Sequence, residues 1–129
     1  MCWAVPRMSK VILTVDDSKT MRDMLKLALG GAGHTVIQAD DGLNGVEVLQ
    51  NAGAVDVIIT DINMPRMDGY GFMEQVRRDP RNRAIPILVL TTESAPEKRQ
   101  RARDAGATGW IVKPFDPVKL LAAIHRVAP

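Results

Sequence analysis

The 129-residue sequence predicts an α/β fold in which a parallel sheet is covered by helices on both faces. Two observations carry this. Short apolar runs alternate with helical patterns five times, the signature of consecutive βα units. Apolar residues make up 46% of the chain, enough to fill one core, and the length is that of one domain.

The first run is "KVILTV" (10–15). Ser18 then caps a helix whose Met21, Met24, Leu25 and Ala28 recur at helical spacing, with Gly30 and Gly31 as its stop. "TVIQA" (35–39) is the least apolar of the first three runs and reads as lying nearer an edge. The helix after it begins at Asp40 or Asp41 and carries Leu43, Val46 and Leu49. "VDVIIT" (55–60) is followed by a helix from Asp68 through Phe72, Met73 and Val76. After "PILVLT" (86–91), Ser94 and Glu97 stand in capping-box spacing. That fourth helix offers only alanines to a core and turns Lys98, Arg99, Arg101 and Arg103 outward, so it should be the most loosely held. "GWIV" (109–112) precedes a last helix with Asp116 as cap, Pro117 at its first position and a stripe of Val118, Leu121, Ile124 and Val127.

The balance of 17 basic against 15 acidic side chains gives +2, too little to argue for nucleic acid. The basic "RRDPRNR" (77–83) and the fourth helix match no nucleic-acid recognition motif. No run approaches a membrane span, "MCWAVPRM" is too short for a signal peptide, and the single cysteine, Cys2, suits a reducing cytoplasm. The expectation is therefore a cytoplasmic protein without membrane or nucleic-acid partners. Residues 1–8, with Trp3, fit no periodic pattern and read as a flexible extension ahead of a domain at 9–129.

In an open parallel sheet, ligands gather at the carboxyl ends of the strands where strand order reverses. The residues there are Asp16 and Asp17 after the first run, Asp61 after the third, Thr91 closing the fourth and Lys113 after the fifth. Taken alone, Asp16 and Asp17 read as helix-capping acids, Thr91 as strand composition and Lys113 as surface. Asp61 resists that treatment, because a buried strand has little use for a charge at its tip. Two like charges about 4 Å apart repel by about 4 kcal/mol at an effective dielectric near 20, so clustered carboxylates must protonate or hold a cation. With no histidine in the set, a hard, partly hydrated ion such as Mg²⁺ suits it better than zinc. A carboxylate beside Mg²⁺, with an ammonium and a hydroxyl across the pocket, is arranged to attack phosphorus.

With "VDDS" (15–18), "TDINMPRMDG" (60–69), "TTES" (91–94) and "GWIVKPF" (109–115), the chain resembles the receiver domain of two-component response regulators over residues 9–128, most closely the stand-alone chemotaxis (CheY) type. The resemblance implies a flavodoxin-like (βα)5 fold with strand order 2-1-3-4-5. It implies that Asp61 accepts a phosphoryl group from a phosphohistidine on a sensor histidine kinase of the chemotaxis type. Asp17 would bind Mg²⁺ directly, Asp16 mostly through water, and Asn63 through its backbone carbonyl. Thr91 would bond the phosphoryl group and Lys113 would pair with it. Asn63 and Glu93 would tune dephosphorylation, and Lys113–Pro114 would be cis. Pro65 and Gly69 match the loop after the acceptor, where glycine would permit positive φ. The gate position, usually tyrosine or phenylalanine, is Trp110 here. The partners implied are the kinase, a flagellar motor switch or other protein target, and a phosphatase, all bound by a monomer whose switching face is the fourth helix, fifth strand and fifth helix.

Three rival readings use overlapping residues. A phosphate sink for a chemotaxis kinase would need the same site. A Mg²⁺-dependent phosphatase with an aspartyl nucleophile wants an acid two residues after it, where Asn63 stands, and a cap for which there is no room. A flavin-binding domain lacks its phosphate loop after the first strand. His34 and His125 lie away from the strand ends and read as surface or packing residues.

Overall fold

Helices join the successive strands of the sheet, and side-chain caps written in the chain start four of the five helices. A computed structural model describes residues 9–129; the expectation for residues 1–8, with Cys2 and Trp3, lies outside them. In chain order the elements are β1 (Val11–Val15), α1 (Lys19–Gly31), β2 (Thr35–Ala39), α2 (Gly42–Asn51) and β3 (Val57–Thr60). They continue with α3 (Gly69–Arg78), a 3-10 turn (Pro80–Asn82), β4 (Ile87–Thr91), α4 (Pro96–Ala105), β5 (Gly109–Val112) and α5 (Pro117–Val127). The five strands are all parallel in the order β2-β1-β3-β4-β5, which puts "TVIQA" on an edge as expected.

Because side chains alternate across a strand, the sheet has two cores. Leu13, Ile58 and Val89 face Leu49 of α2 and Phe72, Met73 and Val76 of α3. Ile12, Val57, Ile59 and Leu90 face Leu25 and Leu29 of α1 and Leu120 and Ile124 of α5. Ser18, Asp41, Asp68 and Asp116 each accept a backbone N–H from the first turn of the following helix.

Several expectations need correcting. In α1, Met24 is 48% exposed and Leu29 is buried; at about 100° per residue, Leu29 lies close to Leu25 around the helix while Met24 is a quarter-turn away. α1 does end at Gly31, as expected, and the chain turns away through Ala32 and Gly33, whose φ of +93° favours glycine. Leu43 of α2 is exposed. Val118 of α5 is 75% exposed, since it lies roughly 160° around the helix from Leu120, the residue that is buried instead. Ser94 does not cap α4: Pro96 takes the first helical position, so the cap falls on Ala95, which has no side-chain acceptor.

Of the α4 side chains only Ala102 is fully buried, as the alanine-only pattern predicts. Polar ties supplement this weak anchor. The Tyr70 hydroxyl donates to the Lys98 carbonyl at 3.3 Å, and the Arg101 guanidinium stacks 4.0 Å from the Tyr70 ring centroid. The basic stretch at the end of α3 is largely consumed by the fold. Arg77 donates to the carbonyls of Gly106, Asn82, Arg83 and Ile85, and Arg81 pairs with Asp79 at 2.7 Å.

Thr14 of β1 is fully buried, and its hydroxyl has no hydrogen-bond partner. A buried hydroxyl without a bond is unfavourable, and valine has nearly the same shape. Thr14→Val is expected to raise stability by about 1 kcal/mol, read as a higher urea midpoint with an unchanged slope.

Candidate functional site

Strand order reverses between β1 and β3, because the chain moves outward to β2 on one side and to β3 on the other. The crevice above that reversal is where the predicted residues meet. The Asp61 N–H donates to the Val15 carbonyl at 2.9 Å, which seats Asp61 beside Asp16. The Lys113 N–H donates to the Thr91 carbonyl at 2.8 Å, which brings the end of β5 alongside that of β4. From there the Lys113 Nζ reaches Asp16 Oδ2 and Asp61 Oδ2, both at 2.8 Å. Asp16, Asp61 and Thr91 are buried, while Asp17 is exposed. Asp16, Asp17 and Asp61 can each offer a carboxylate oxygen such that all three lie within 4.8 Å of one another.

Their electrostatics follow from burial. Desolvation raises the Asp16 pKa above its ordinary value despite bonds from Lys113 and the Ser18 N–H, and the neighbouring Asp61 charge adds to the rise. Burial acts to lower the Lys113 pKa, but its bonds to Asp16 and Asp61 together outweigh it, and the ammonium is held more firmly than an exposed lysine. Among the described residues the Lys113 ammonium bonds two of the three carboxylates, which leaves negative charge in the crevice for a further cation to balance. The all-oxygen donor set fits a hard divalent ion.

Around the acids lies a second tier of contacts. Thr91 Oγ1 accepts the Glu93 N–H at 3.3 Å. The Glu93 carboxylate accepts the Asn63 amide at 3.3 Å and pairs with Lys98 of α4 at 2.9 Å. That pairing, with the Asn63 bond, holds its pKa below the usual carboxylate range. The Glu93 carbonyl accepts the Trp110 indole N–H at 3.1 Å. Glu93 thus touches the end of β4, the loop after β3, α4 and β5. Trp110 is half-buried beside a cleft of about 180 Å³ between α4 and β5, with Arg99 and Arg103 on the other wall. Lys113–Pro114 is cis, as the resemblance implied.

The loop after Asp61 differs from expectation in one respect. Gly69 has no positive φ; it is required because a Cβ there would lie 2.2 Å from the Asp61 carbonyl oxygen and 2.9 Å from Ile62 Cα. The positive φ, 64°, falls on Arg66. The Arg66–Asp41 pair went unread in the sequence because the two residues stand 25 positions apart, and the Lys98–Glu93 pair because Glu93 lies outside the helix that carries Lys98. His34 Nδ1 accepts the Lys10 N–H and His125 is exposed on α5, both away from the crevice, as expected.

Five parallel strands with an acid-lined crevice at the β1/β3 reversal define a receiver module, and the model for the response regulator receiver domain matches residues 12–125. The chain belongs to that family. Its relatives include the chemotaxis protein CheY1 of Helicobacter pylori, 41% identical over 117 residues that make up 90% of this chain and 94% of that protein. The chemotaxis protein CheY-3 of Vibrio cholerae is 38% identical, with 90% of this chain and 89% of that protein covered. Among solved structures, chemotaxis protein CheY4 of Vibrio cholerae superposes with a TM-score of 0.88 at 45% identity, covering 92% of this chain and 98% of that one. The match to sensor histidine kinase CheAY of Helicobacter pylori, 34% identical, takes in 90% of this chain but only 15% of that protein. This is a receiver domain of the CheY type. Among the described residues, no helix is long and apolar enough to cross a membrane.

Proposed function

We infer that residues 9–129 act as one phosphorylation-controlled binding switch in chemotaxis signalling, with Asp61 as the phosphoacceptor. The observation that carries this is the Lys113 ammonium bonded at once to the carboxylates of Asp16 and Asp61. An Asp61 oxygen attacks the phosphorus of a kinase phosphohistidine, the P–N bond breaks, and the imidazole leaves with the electron pair. Asp16, Asp17, Asp61 and the Asn63 carbonyl are the candidates to hold Mg²⁺, which when bound supplies neutralising charge to the phosphoryl oxygens. Lys113 neutralises that charge from the other side, and the Thr91 hydroxyl donates to the new group.

The new group carries about two negative charges. As Lys113 and Thr91 engage it, the Thr91–Glu93 contact changes, and with it the Glu93–Trp110 and Glu93–Lys98 ties. The thin apolar anchor of α4 suits it to respond, and the face of α4, β5 and α5 is the surface offered to a target such as a flagellar motor switch. The kinase partner is of the chemotaxis type, as the similarity to CheY proteins and to the kinase CheAY suggests. The chain functions as a cytoplasmic monomer whose only chemistry is on itself.

Incubation with Mg²⁺ and acetyl phosphate should add one phosphoryl group per chain, with no sustained turnover of a phosphomonoester; multiple turnovers would favour the aspartyl phosphatase. The polar pair Asn63 and Glu93 is positioned to orient a hydrolytic water. Glu93→Leu should lengthen the phosphoryl lifetime several-fold, followed by loss of the added mass after removal of the donor. An unchanged decay would remove Glu93 from that role.

A further inference from the structure

Between Asp61 and α3 the chain makes a tight turn at Arg66: the Met67 N–H donates to the Pro65 carbonyl at 2.7 Å across a residue with φ of 64°. A side chain with a Cβ is unfavourable there, and such strain persists where surrounding contacts hold it. The contacts are specific. Arg66 Nε donates to Asp41 Oδ2 at 2.6 Å and Nη2 to Asp41 Oδ1 at 3.0 Å, a forked pair 25 positions apart in sequence. Asp41 is itself fixed, because it is 4% exposed and caps α2 through the Asn44 N–H at 2.8 Å. Beside it, the Gly42 N–H donates to the Met67 carbonyl at 3.0 Å. The bond from the Gly69 N–H to the Ile62 carbonyl only closes the loop upon itself. The polar ties between the loop and α2 are therefore the Arg66–Asp41 fork and the Gly42–Met67 bond, beside the packing of the Met67 side chain on Gly42. The same loop carries Asn63, two residues beyond Asp61.

We propose that Arg66 is a positioning residue: through Asp41 it ties the acceptor loop to the start of α2 and so fixes where the Asn63 carbonyl stands relative to Asp61. The inference rests on Asp61 being the acceptor, and it assigns a role to a pair outside the acid crevice. Residues that orient ligands from behind tune affinity without touching the ion. A side chain that only stabilised the loop would behave differently on replacement by glycine, which tolerates positive φ and relieves the strain while removing the fork.

The test uses the full chain with Trp3→Phe, so that Trp110 alone reports Mg²⁺ binding. Arg66→Gly relieves the positive φ but leaves the buried Asp41 without its partner, so it should still melt cooperatively, no more than modestly below the parent, yet bind Mg²⁺ about tenfold more weakly and take a phosphoryl group from acetyl phosphate correspondingly slowly. Arg66→Lys, which keeps the charge but not the fork, should fall between. Asp41→Asn, which keeps an acceptor for the Asn44 N–H, should weaken Mg²⁺ binding in the same direction. Faster amide exchange at Met67 and Gly69 should accompany each loss. Parent-like Mg²⁺ affinity and phosphorylation rate in Arg66→Gly would overturn the inference while leaving the acceptor assignment intact. A parent protein that took up no phosphoryl group at all would overturn both.

Discussion

Lys113→Met is expected to slow phosphoryl uptake from acetyl phosphate on the order of a hundredfold, the usual consequence of removing one preorganised group from the charge developing in the transition state. The substitution keeps the length and apolar stem of the side chain and removes only the ammonium, so the loss isolates the two 2.8 Å bonds to Asp16 and Asp61. Without Mg²⁺ the variant should also be less stable, by about 3–5 kcal/mol, since a buried carboxylate pair is left without its cation. The size of that loss then depends on the medium. Millimolar Mg²⁺ should restore most of that stability, because a divalent ion can compensate the same acids, but it should not restore the rate. Paired measurements of melting temperature and initial rate, with and without Mg²⁺, separate the two effects. A variant that takes up phosphoryl groups as fast as the parent would show that Lys113 serves packing alone.

Gly69→Ala should be the most damaging single methyl group in the described chain. Gly69 is the first residue of α3, where alanine is ordinarily the better helix former by about 1 kcal/mol. Here sterics decide otherwise. The added carbon would stand 2.2 Å from the Asp61 carbonyl oxygen, and the obstructing atoms are backbone, which no rotamer change can move. The expected loss is more than about 3 kcal/mol, and the fraction that folds should phosphorylate poorly because the displaced carbonyl belongs to Asp61, the proposed acceptor. Gly30→Ala supplies the control. Nothing lies within 4 Å of a Cβ at that helical glycine, so the same substitution should stabilise by about 0.5–1 kcal/mol. Urea midpoints of opposite sign for the two variants would confirm that close approach, rather than glycine flexibility, holds position 69.

That pair also shows how far the sequence could be read. Its capping aspartates 41, 68 and 116 and its apolar strands located most elements, because both signals are local: a cap acts within one turn and a buried strand must be apolar. The convergence of Asp16, Asp17, Asp61 and Lys113 was legible through topology, since strand ends of a parallel sheet share one edge. Helix rotation was less so. Met24 and Val118 are apolar at plausible spacings, and only packing against a particular strand reveals that Leu29 and Leu120 point inward instead. The reason for Gly69 stayed hidden because close approach depends on Asp61, a residue of another element. Ser94 misled because a capping motif is outranked by the proline that fixes where α4 begins. The pairs Arg66–Asp41 and Lys98–Glu93 had no local signature, and the second ties α4 to the residue flanking Thr91.

Asp61 is the proposed destination of the phosphoryl group. Peptide mapping by mass spectrometry after incubation with Mg²⁺ and acetyl phosphate tests this most directly, performed on the parent chain and on Asp61→Asn. One added phosphoryl group confined to the peptide containing Asp61, and absent from the variant, is the predicted result. A group found on another residue, or undiminished uptake by Asp61→Asn, would contradict it.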